Sequence, residues 1–226
     1  MRGVPTHPIR AVIFDLDGTL VDTAGEIALA LERTFTELGL PVLPQAAVVD
    51  LIGRGIQALV RRALQQSGAA AKSAFEPALA RFEAHYADVV ATSATLFPGV
   101  REGIESLAAN SVPMAVVTNK LRWFSERLLE RLQLAERFVA LVAGDDGLAR
   151  KPDGAMLRAA CNAMGTRVEE TVMLGDSAND VLAARHAGCP VWCVPYGYNE
   201  GRPVASLACD RVVDSVREAA ELILAG

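Results

Sequence analysis

The sequence predicts an α/β protein with a doubly wound parallel sheet and an inserted helical segment. Short runs of apolar, mostly β-branched residues recur along the chain without polar alternation, as in parallel strands buried on both faces. From about residue 98 onward, segments with helical spacing separate these runs. Between residues 21 and 91 the apolar spacing is helical throughout, with no convincing strand. We therefore expect a catalytic core of residues 1–20 and 93–226 and a small helical cap of residues 21–92.

Six runs account for the predicted sheet. The first five are continuous and apolar, and the sixth is shorter: Arg10–Phe14, Met114–Val117, Phe138–Val142, Thr171–Leu174, Val191–Val194 and Arg211–Val213.

The insertion of roughly 70 residues is long enough to bury a small core of its own. Three apolar stripes predict three helices, carried by residues 27–38, 56–64 and 75–86. Thr23 and Glu26 match a capping box at the start of the first helix. Turns are expected at Gly39–Pro44 and Ser67–Ala71.

Composition excludes several classes of protein. With 51% hydrophobic and 22% charged residues, the chain suits a packed core rather than disorder. The net charge of −5 argues against non-specific binding to nucleic acid or anionic membranes. No apolar run approaches the ~20 residues that span a bilayer, and Met1–Pro8 lacks the apolar region of a secretory signal. Four cysteines without metal-ligand spacing favour a reducing compartment, so we expect a cytoplasmic protein.

Two acids follow the first predicted strand, in Asp15-Leu16-Asp17-Gly18-Thr19. Two carboxylates at the end of a buried strand are costly without a compensating cation. A turn beginning at Asp15, with Gly18 as its permissive residue, lets both acids approach one centre. An ordinary Asp-Gly turn is the alternative. We favour a catalytic pair in which Asp15 lies nearer a metal and Asp17 serves as acid and base.

Two further polar groups follow strands. The Thr118 hydroxyl and Asn119 amide can donate hydrogen bonds to phosphate oxygens without adding charge, although helix capping also explains such a pair. Lys151, before Pro152, can neutralise a carboxylate and a phosphate together, although a lone lysine is usually exposed to solvent.

The fourth feature is an acidic loop after the strand that ends at Leu174. Asp176 and Asp180 lie four residues apart and can converge on a cation if a helix begins near Ala178. Carboxylate oxygens are the ligands that Mg²⁺ prefers. If Asp176 and Ser177 simply cap the next helix, only one of the two acids is explained.

The four features follow four different predicted strands. Open α/β sheets bind ligands outside the carboxyl ends of their strands, so their combination carries more information than any one of them.

These residues resemble the four motifs of the haloacid dehalogenase superfamily, in its phosphatase branch, and they occur in the same order. The resemblance covers essentially the whole chain, and it implies a Rossmann-like core, a helical cap and Mg²⁺ dependence. It also implies that Asp15 is the nucleophile, Asp17 the general acid and base, Thr118 a phosphate ligand and Lys151 a charge-balancing group. The metal would be held by the Asp15 and Asp176 side chains and the Asp17 carbonyl, with Asp180 as support or as a variable ligand.

Within the superfamily, the chain is most similar to bacterial phosphatases of 2-phosphoglycolate. The similarity extends to segments beyond the four motifs: Gly144-Asp145-Asp146, Ala187-Gly188-Cys189-Pro190 and Tyr196-Gly197-Tyr198-Asn199. The resemblance implies a small phosphate ester as substrate, with 2-phosphoglycolate first, and a monomer or homodimer. Arg54 stands where the best-known members have asparagine. We predict that Arg54 binds a substrate carboxylate from the cap, the alternative being an exposed arginine at a helix start.

Other functions remain open at this point. A phosphatase for a sugar phosphate, nucleotide or pyrophosphate, or a phosphomutase, would share all four motifs. A dehalogenase would leave Asp17 without a role. A phospho-accepting receiver module also clusters acids, a hydroxyl and a lysine, but would lack the helical insertion.

Overall fold

The computed structural model describes residues 7–68 and 71–226, with side chains at all of these positions except 71–73. Residues 69 and 70 of the predicted turn Ser67–Ala71 lie outside the described residues, as do residues 1–6 of the N-terminal segment. No helix in the described part of the chain is long and apolar enough to cross a bilayer.

A six-stranded parallel sheet forms the centre of the fold and confirms the predicted α/β class. Its strands are β1 (Ala11–Phe14), β4 (Met114–Val117), β5 (Ala140–Val142), β6 (Thr171–Gly175), β7 (Val191–Cys193) and β8 (Arg211–Val212). They lie in the order β5-β4-β1-β6-β7-β8. All five neighbouring pairs are parallel. Phe138 and Val139, the first two residues of the third predicted run, precede β5, and Val139 is 59% exposed.

Alternate residues of each central strand are buried on opposite faces of the sheet. In β1, Val12 and Phe14 pack into one hydrophobic cluster and Ile13 into the other. Five helices cover the two faces: α5 (Val100–Ala109), α6 (Arg122–Arg131), α7 (Ala155–Met164), α8 (Ala178–Ala187) and α9 (Val216–Leu224). Burial on both faces explains why these strands are apolar at every position.

Four helices fill most of the described insertion. They are α1 (Ala24–Glu37), α2 (Gln45–Val49), α3 (Ile56–Gln66) and α4 (Ala71–Val89), and α4 packs against both α1 and α3. We had predicted that the insertion is helical from its start, but it begins with a short strand instead. β2 (Val21–Asp22) pairs in antiparallel fashion with β3 (Thr95–Leu96). This short ladder joins the two connections between the sheet and the helices.

The predicted capping box at α1 does not form. Thr23 is the N-cap residue, but its hydroxyl donates to Asp17 at 2.6 Å. The buried Glu26 carboxylate instead accepts the backbone N–H groups of Ala91, Ser93 and Ala94 at 3.0, 2.7 and 2.8 Å. Glu26 therefore ties the start of the insertion to its end.

The strand order reverses direction beside β1. After β1 the chain builds the sheet outward through β4 and β5, and then returns to the other side of β1 with β6. Ligand crevices in doubly wound sheets open at such a reversal, outside the carboxyl ends of the strands. Asp15 follows β1 and Asp176 follows β6, so both acids lie at this point.

Candidate active site

Three buried acids converge at the reversal point. Carboxylate oxygens of Asp15, Asp176 and Asp180 all lie within 4.8 Å of one another. The turn after β1 places Gly18 at φ +88°, and a Cβ on Gly18 would lie 2.6 Å from Asp176 Oδ2. Glycine at this position therefore permits both the turn and the close approach of Asp176.

The Lys151 ammonium group lies among these acids. Lys151 Nζ lies 2.8 Å from Asp15 and 2.7 Å from Asp180, and it also donates to the Val117 carbonyl at 2.9 Å. Its side chain is 1% exposed. The predicted alternative of a solvent-facing lysine does not apply.

Asp180 supports the cluster through hydrogen bonds. One oxygen accepts from Lys151, and the other accepts from the Ser177 hydroxyl at 2.7 Å and the Ser177 N–H at 3.0 Å. Ser177 and Asp180 form a capping box at the start of α8. Both Asp180 oxygens are thus engaged within the protein.

Asp176 is fixed by donors from two other segments. The Thr19 hydroxyl donates to Oδ1 at 2.9 Å, and the Tyr198 N–H donates to Oδ2 at 2.8 Å. These bonds position the carboxylate beside Asp15.

The charge of the cluster fits a bound divalent cation. Burial and the neighbouring Asp180 carboxylate together raise the pKa of Asp176 to about 7, although the hydrogen bonds from Tyr198 and Thr19 oppose this rise. Burial also raises the pKa of Asp15 well above its usual range, although Lys151 opposes this and the other two acids add to it. Three carboxylates facing one ammonium leave negative charge that a cation would stabilise, and an all-oxygen donor set suits Mg²⁺.

The Asp17 side chain lies apart from this cluster and faces a second buried lysine. Lys120 Nζ lies 2.9 and 3.0 Å from the two Asp17 oxygens, and the Thr23 hydroxyl donates to Asp17 as well. Burial alone would lower the pKa of Lys120, but the Asp17 carboxylate and the neighbouring Tyr86 side chain together outweigh burial, and the pKa is raised. We had not identified Lys120 as a site residue from the sequence. Its position directly after Thr118 and Asn119 was the available clue.

The two polar residues after β4 have different surroundings. The Thr118 hydroxyl accepts the Lys120 N–H at 3.2 Å, which leaves its own proton for another acceptor. Asn119 Nδ2 donates to the Gly53 and Lys151 carbonyls at 3.0 and 2.9 Å. Both amide protons of Asn119 are thus used, and its predicted donation to a phosphate would require one of these bonds to break.

Arg54 does not line the cavity beside Asp15. Its guanidinium pairs with Glu200 at 2.6 Å, and its side chain is 51% exposed. Arg62 pairs with the same carboxylate at 3.0 Å. Glu200 lies after β7, so this cluster links the helical insertion to the sheet. Binding of a substrate carboxylate by Arg54 stays a prediction.

A small cavity that opens to solvent lies in front of Asp15, with about 30 Å³ available to the centres of water-sized molecules. Its polar lining consists of Asp15, Asp17, Thr118, Asn119 and Lys120. Its apolar wall comes from the insertion and consists of Ile27, Ile52, Ile56, Leu59 and Phe82, with Tyr86 beside them. The sheet thus provides the reactive groups, and the insertion encloses them.

Comparison with known proteins identifies the family. The model of the haloacid dehalogenase-like hydrolase family matches residues 12–194, which include all four motifs. The chain belongs to this family. The family assignment that we predicted from the motifs is confirmed, and a receiver module is excluded.

Relatives of this hydrolase point to phosphate esters. The phosphoglycolate phosphatase of Thiobacillus denitrificans is 42% identical over 99% of both chains. The structure of a predicted phosphoglycolate phosphatase from Haemophilus somnus superimposes with a TM-score of 0.88 at 28% identity, covering 96% of this chain and 99% of that one. CbbY from Rhodobacter sphaeroides, solved with phosphate, has a TM-score of 0.74 at 26% identity, covering 93% and 96%. The predicted class of phosphoric monoester hydrolase, similar to bacterial phosphoglycolate phosphatases, is confirmed.

Proposed function

We propose that this protein is a Mg²⁺-dependent phosphatase that converts 2-phosphoglycolate to glycolate through a phosphorylated Asp15. The observation that carries this proposal is the convergence of Asp15, Asp176 and Asp180 around Lys151, directly beside a small cavity. In this proposal residues 1–20 and 93–226 are the catalytic core, and residues 21–92 are a cap that closes over the cavity.

The first chemical step is transfer of phosphate to Asp15. A carboxylate oxygen of Asp15 forms a bond to phosphorus while the bond from phosphorus to the ester oxygen breaks. Asp17, in its protonated form, gives its proton to the departing oxygen, so that this oxygen leaves as a hydroxyl group rather than an alkoxide. Both acids line the cavity, which supports this division of roles.

The second step returns the enzyme to its starting state. Asp17, now a carboxylate, takes a proton from a water molecule as the water oxygen bonds to phosphorus. The bond between phosphorus and Asp15 then breaks, which releases inorganic phosphate and restores the Asp15 carboxylate.

Mg²⁺ would be held by the Asp15 and Asp176 side chains and the Asp17 carbonyl, with Asp180 fixing Lys151 and the loop that carries Asp176. When bound, the cation neutralises charge so that a carboxylate and a phosphate can approach each other. Lys151 contributes a second positive charge beside Asp15, and the free Thr118 proton is available to a phosphate oxygen.

The substrate assignment rests on the relatives and on the cavity. Relatives about 40% identical over nearly the whole chain are named phosphoglycolate phosphatases. The cavity, largely enclosed by apolar side chains of the insertion, suits a small alcohol rather than a large polar one. We place this activity in the cytoplasm.

A substrate screen tests the proposal. Phosphate release is measured with 2-phosphoglycolate, sugar phosphates, nucleotides and pyrophosphate, each with Mg²⁺ and with excess chelator. We expect kcat/KM to be highest for 2-phosphoglycolate and activity to require Mg²⁺. A higher kcat/KM for another ester would reject the substrate. Isomerisation of a sugar phosphate without phosphate release would instead indicate a phosphomutase.

A further inference from the structure

Lys120 is placed to meet a ligand in the cavity. Among the described residues that line the cavity, it is the one cation. Its side chain is 3% exposed, and its ammonium lies 4.8 Å from the centre of the Tyr86 ring. Lys120 comes from the segment after β4, whereas Tyr86 belongs to α4 of the insertion. A ligand that contacts both residues would therefore touch the sheet and the insertion together.

Two buried polar atoms next to this cavity have no partner. Within the described residues, the Tyr86 hydroxyl and Asn119 Oδ1 are the buried side-chain atoms without a hydrogen bond. Both residues line the cavity. Leaving such a group unpaired costs about 1–3 kcal/mol, so it indicates a position where a bound molecule supplies the partner. The Tyr86 hydroxyl can donate to an anion that also reaches Lys120.

In this structure Asp17 forms an ion pair with the Lys120 ammonium. Both of its oxygens lie within 3.0 Å of Lys120 Nζ, and one also accepts the Thr23 hydroxyl. In this arrangement Asp17 cannot deliver a proton to a departing oxygen. An anionic group of the substrate that pairs with Lys120 would compete for the ammonium and loosen Asp17.

We propose that Lys120 and the Tyr86 hydroxyl form the binding site for a carboxylate on the substrate, and that its binding releases Asp17 from Lys120. This inference rests on the proposed function and adds how the substrate is selected. One ammonium and one hydroxyl match the charge and size of a carboxylate, whereas a second phosphate dianion would require more donors. Arg54, the cation that we predicted for this role, is held outside the cavity by Glu200.

Binding measurements on a chain that cannot turn over test this site directly. In an Asp15→Asn background with Mg²⁺, titration calorimetry compares 2-phosphoglycolate with 2-hydroxyethyl phosphate, which has an uncharged group of similar size. We expect 2-phosphoglycolate to bind about 10–100-fold more tightly, as for a hydrogen bond to a charged group. Adding Lys120→Gln should remove most of this preference and leave only the contribution of the Tyr86 hydroxyl to the ratio of the two dissociation constants. Arg54→Gln, the matched comparison, should change this ratio less than Lys120→Gln does.

Tyr86→Phe keeps the test decisive even if Lys120→Gln does not fold. The change removes a buried hydroxyl without a partner, so a merely structural role predicts unchanged or higher thermal stability and an unchanged ratio. Our proposal predicts the same stability but a ratio reduced at least about threefold. A ratio that stays constant in Tyr86→Phe, and in Lys120→Gln if it folds, would overturn the carboxylate site.

The proposed function can fail separately. If the unmutated protein releases no phosphate from 2-phosphoglycolate, that activity is rejected. The dependence of the binding ratio on Lys120 and Tyr86 still decides whether the carboxylate site exists.

Discussion

The Lys151 ammonium lies 2.8 Å from the Asp15 carboxylate, and the side chains are only 1% and 9% exposed. The same ammonium bonds to Asp180 at 2.7 Å. One buried positive charge thus serves two buried acids, and the third acid, Asp176, lies beside them. The stability of the protein and the chemistry at Asp15 therefore depend on the same few charges.

Replacing Lys151 by methionine should destabilise the metal-free protein. The change leaves buried carboxylates without a counter-ion, and we expect the free energy of unfolding to fall by about 3–5 kcal/mol. Mg²⁺ should restore part of the loss because it neutralises the same acids. Urea unfolding with and without Mg²⁺ measures both effects, with Arg33→Met, a change at an exposed cation, as control. A loss no larger than that of the control would contradict the shared role of Lys151.

The metal-free protein should lose stability as the pH rises toward 7. The pKa of Asp176 is raised by burial from 3.8 to about 7. At a pH between 3.8 and about 7, Asp176 is deprotonated in the unfolded chain but still protonated in the folded protein. Stability contributed by this group is therefore lost with rising pH and levels off above about pH 7.

Thermal unfolding across this range, in excess chelator, compares the unmutated protein with Asp176→Asn. The variant should gain stability relative to the unmutated protein as pH rises, and Mg²⁺ should remove the pH dependence that Asp176 causes. Parallel curves for the two proteins in chelator would show that Asp176 does not titrate in this window.

Replacing Gly18 by alanine should weaken metal binding without removing a ligand. The Cβ would lie 2.6 Å from Asp176 Oδ2, at a residue whose φ is +88°, so Asp176 must move. We expect the Mg²⁺ concentration for half-maximal activity to rise about 10–100-fold, as for other losses of support around a metal ligand. Gly25→Ala, in a position with open space around it, is the control. An unchanged Mg²⁺ requirement in Gly18→Ala would show that Asp176 does not hold the cation.

Replacing Glu26 by alanine should loosen the connection between the insertion and the sheet. The carboxylate accepts three backbone N–H groups, which would lose their partner. We expect the free energy of unfolding to fall by about 2–4 kcal/mol, because some of these groups can be solvated after the change. Glu32→Ala, at an exposed site on the same helix, should change it by less than about 0.5 kcal/mol. Equal effects of the two substitutions would show that the hydrogen bonds of Glu26 do not stabilise the connection between the insertion and the sheet.

The parallel sheet was predictable because its strands are buried on both faces. Burial requires apolar residues at every position of runs such as Ala11–Phe14, and this pattern is visible without any tertiary information. Since parallel strands end at one edge, placing Asp15 and Asp176 near each other followed from the sheet alone. The convergence of these acids was therefore predictable as well.

Features set by distant contacts were not predictable in the same way. β2 and β3 have two residues each and form only because the ends of the insertion meet. Glu26 has the spacing of a capping box, but three N–H groups about 65 residues away compete successfully for its carboxylate. Lys120 and Arg54 are both cationic residues, Arg54 in a glycine-rich segment and Lys120 in a polar one. Which of them faces the cavity depends on Asp17 and Glu200, whose positions the local sequence does not reveal.

The central claim is that Asp15 carries phosphate during turnover, and trapping that intermediate tests it most directly. The protein is mixed with 2-phosphoglycolate and Mg²⁺, quenched in acid within the first turnover, and its peptides are analysed by mass spectrometry after reduction of any acyl phosphate. We predict modification of Asp15 that forms and decays at the rate of phosphate release, and none in Asp15→Asn, which should also release no phosphate. Modification of a different residue, or full phosphate release by Asp15→Asn, would contradict the account.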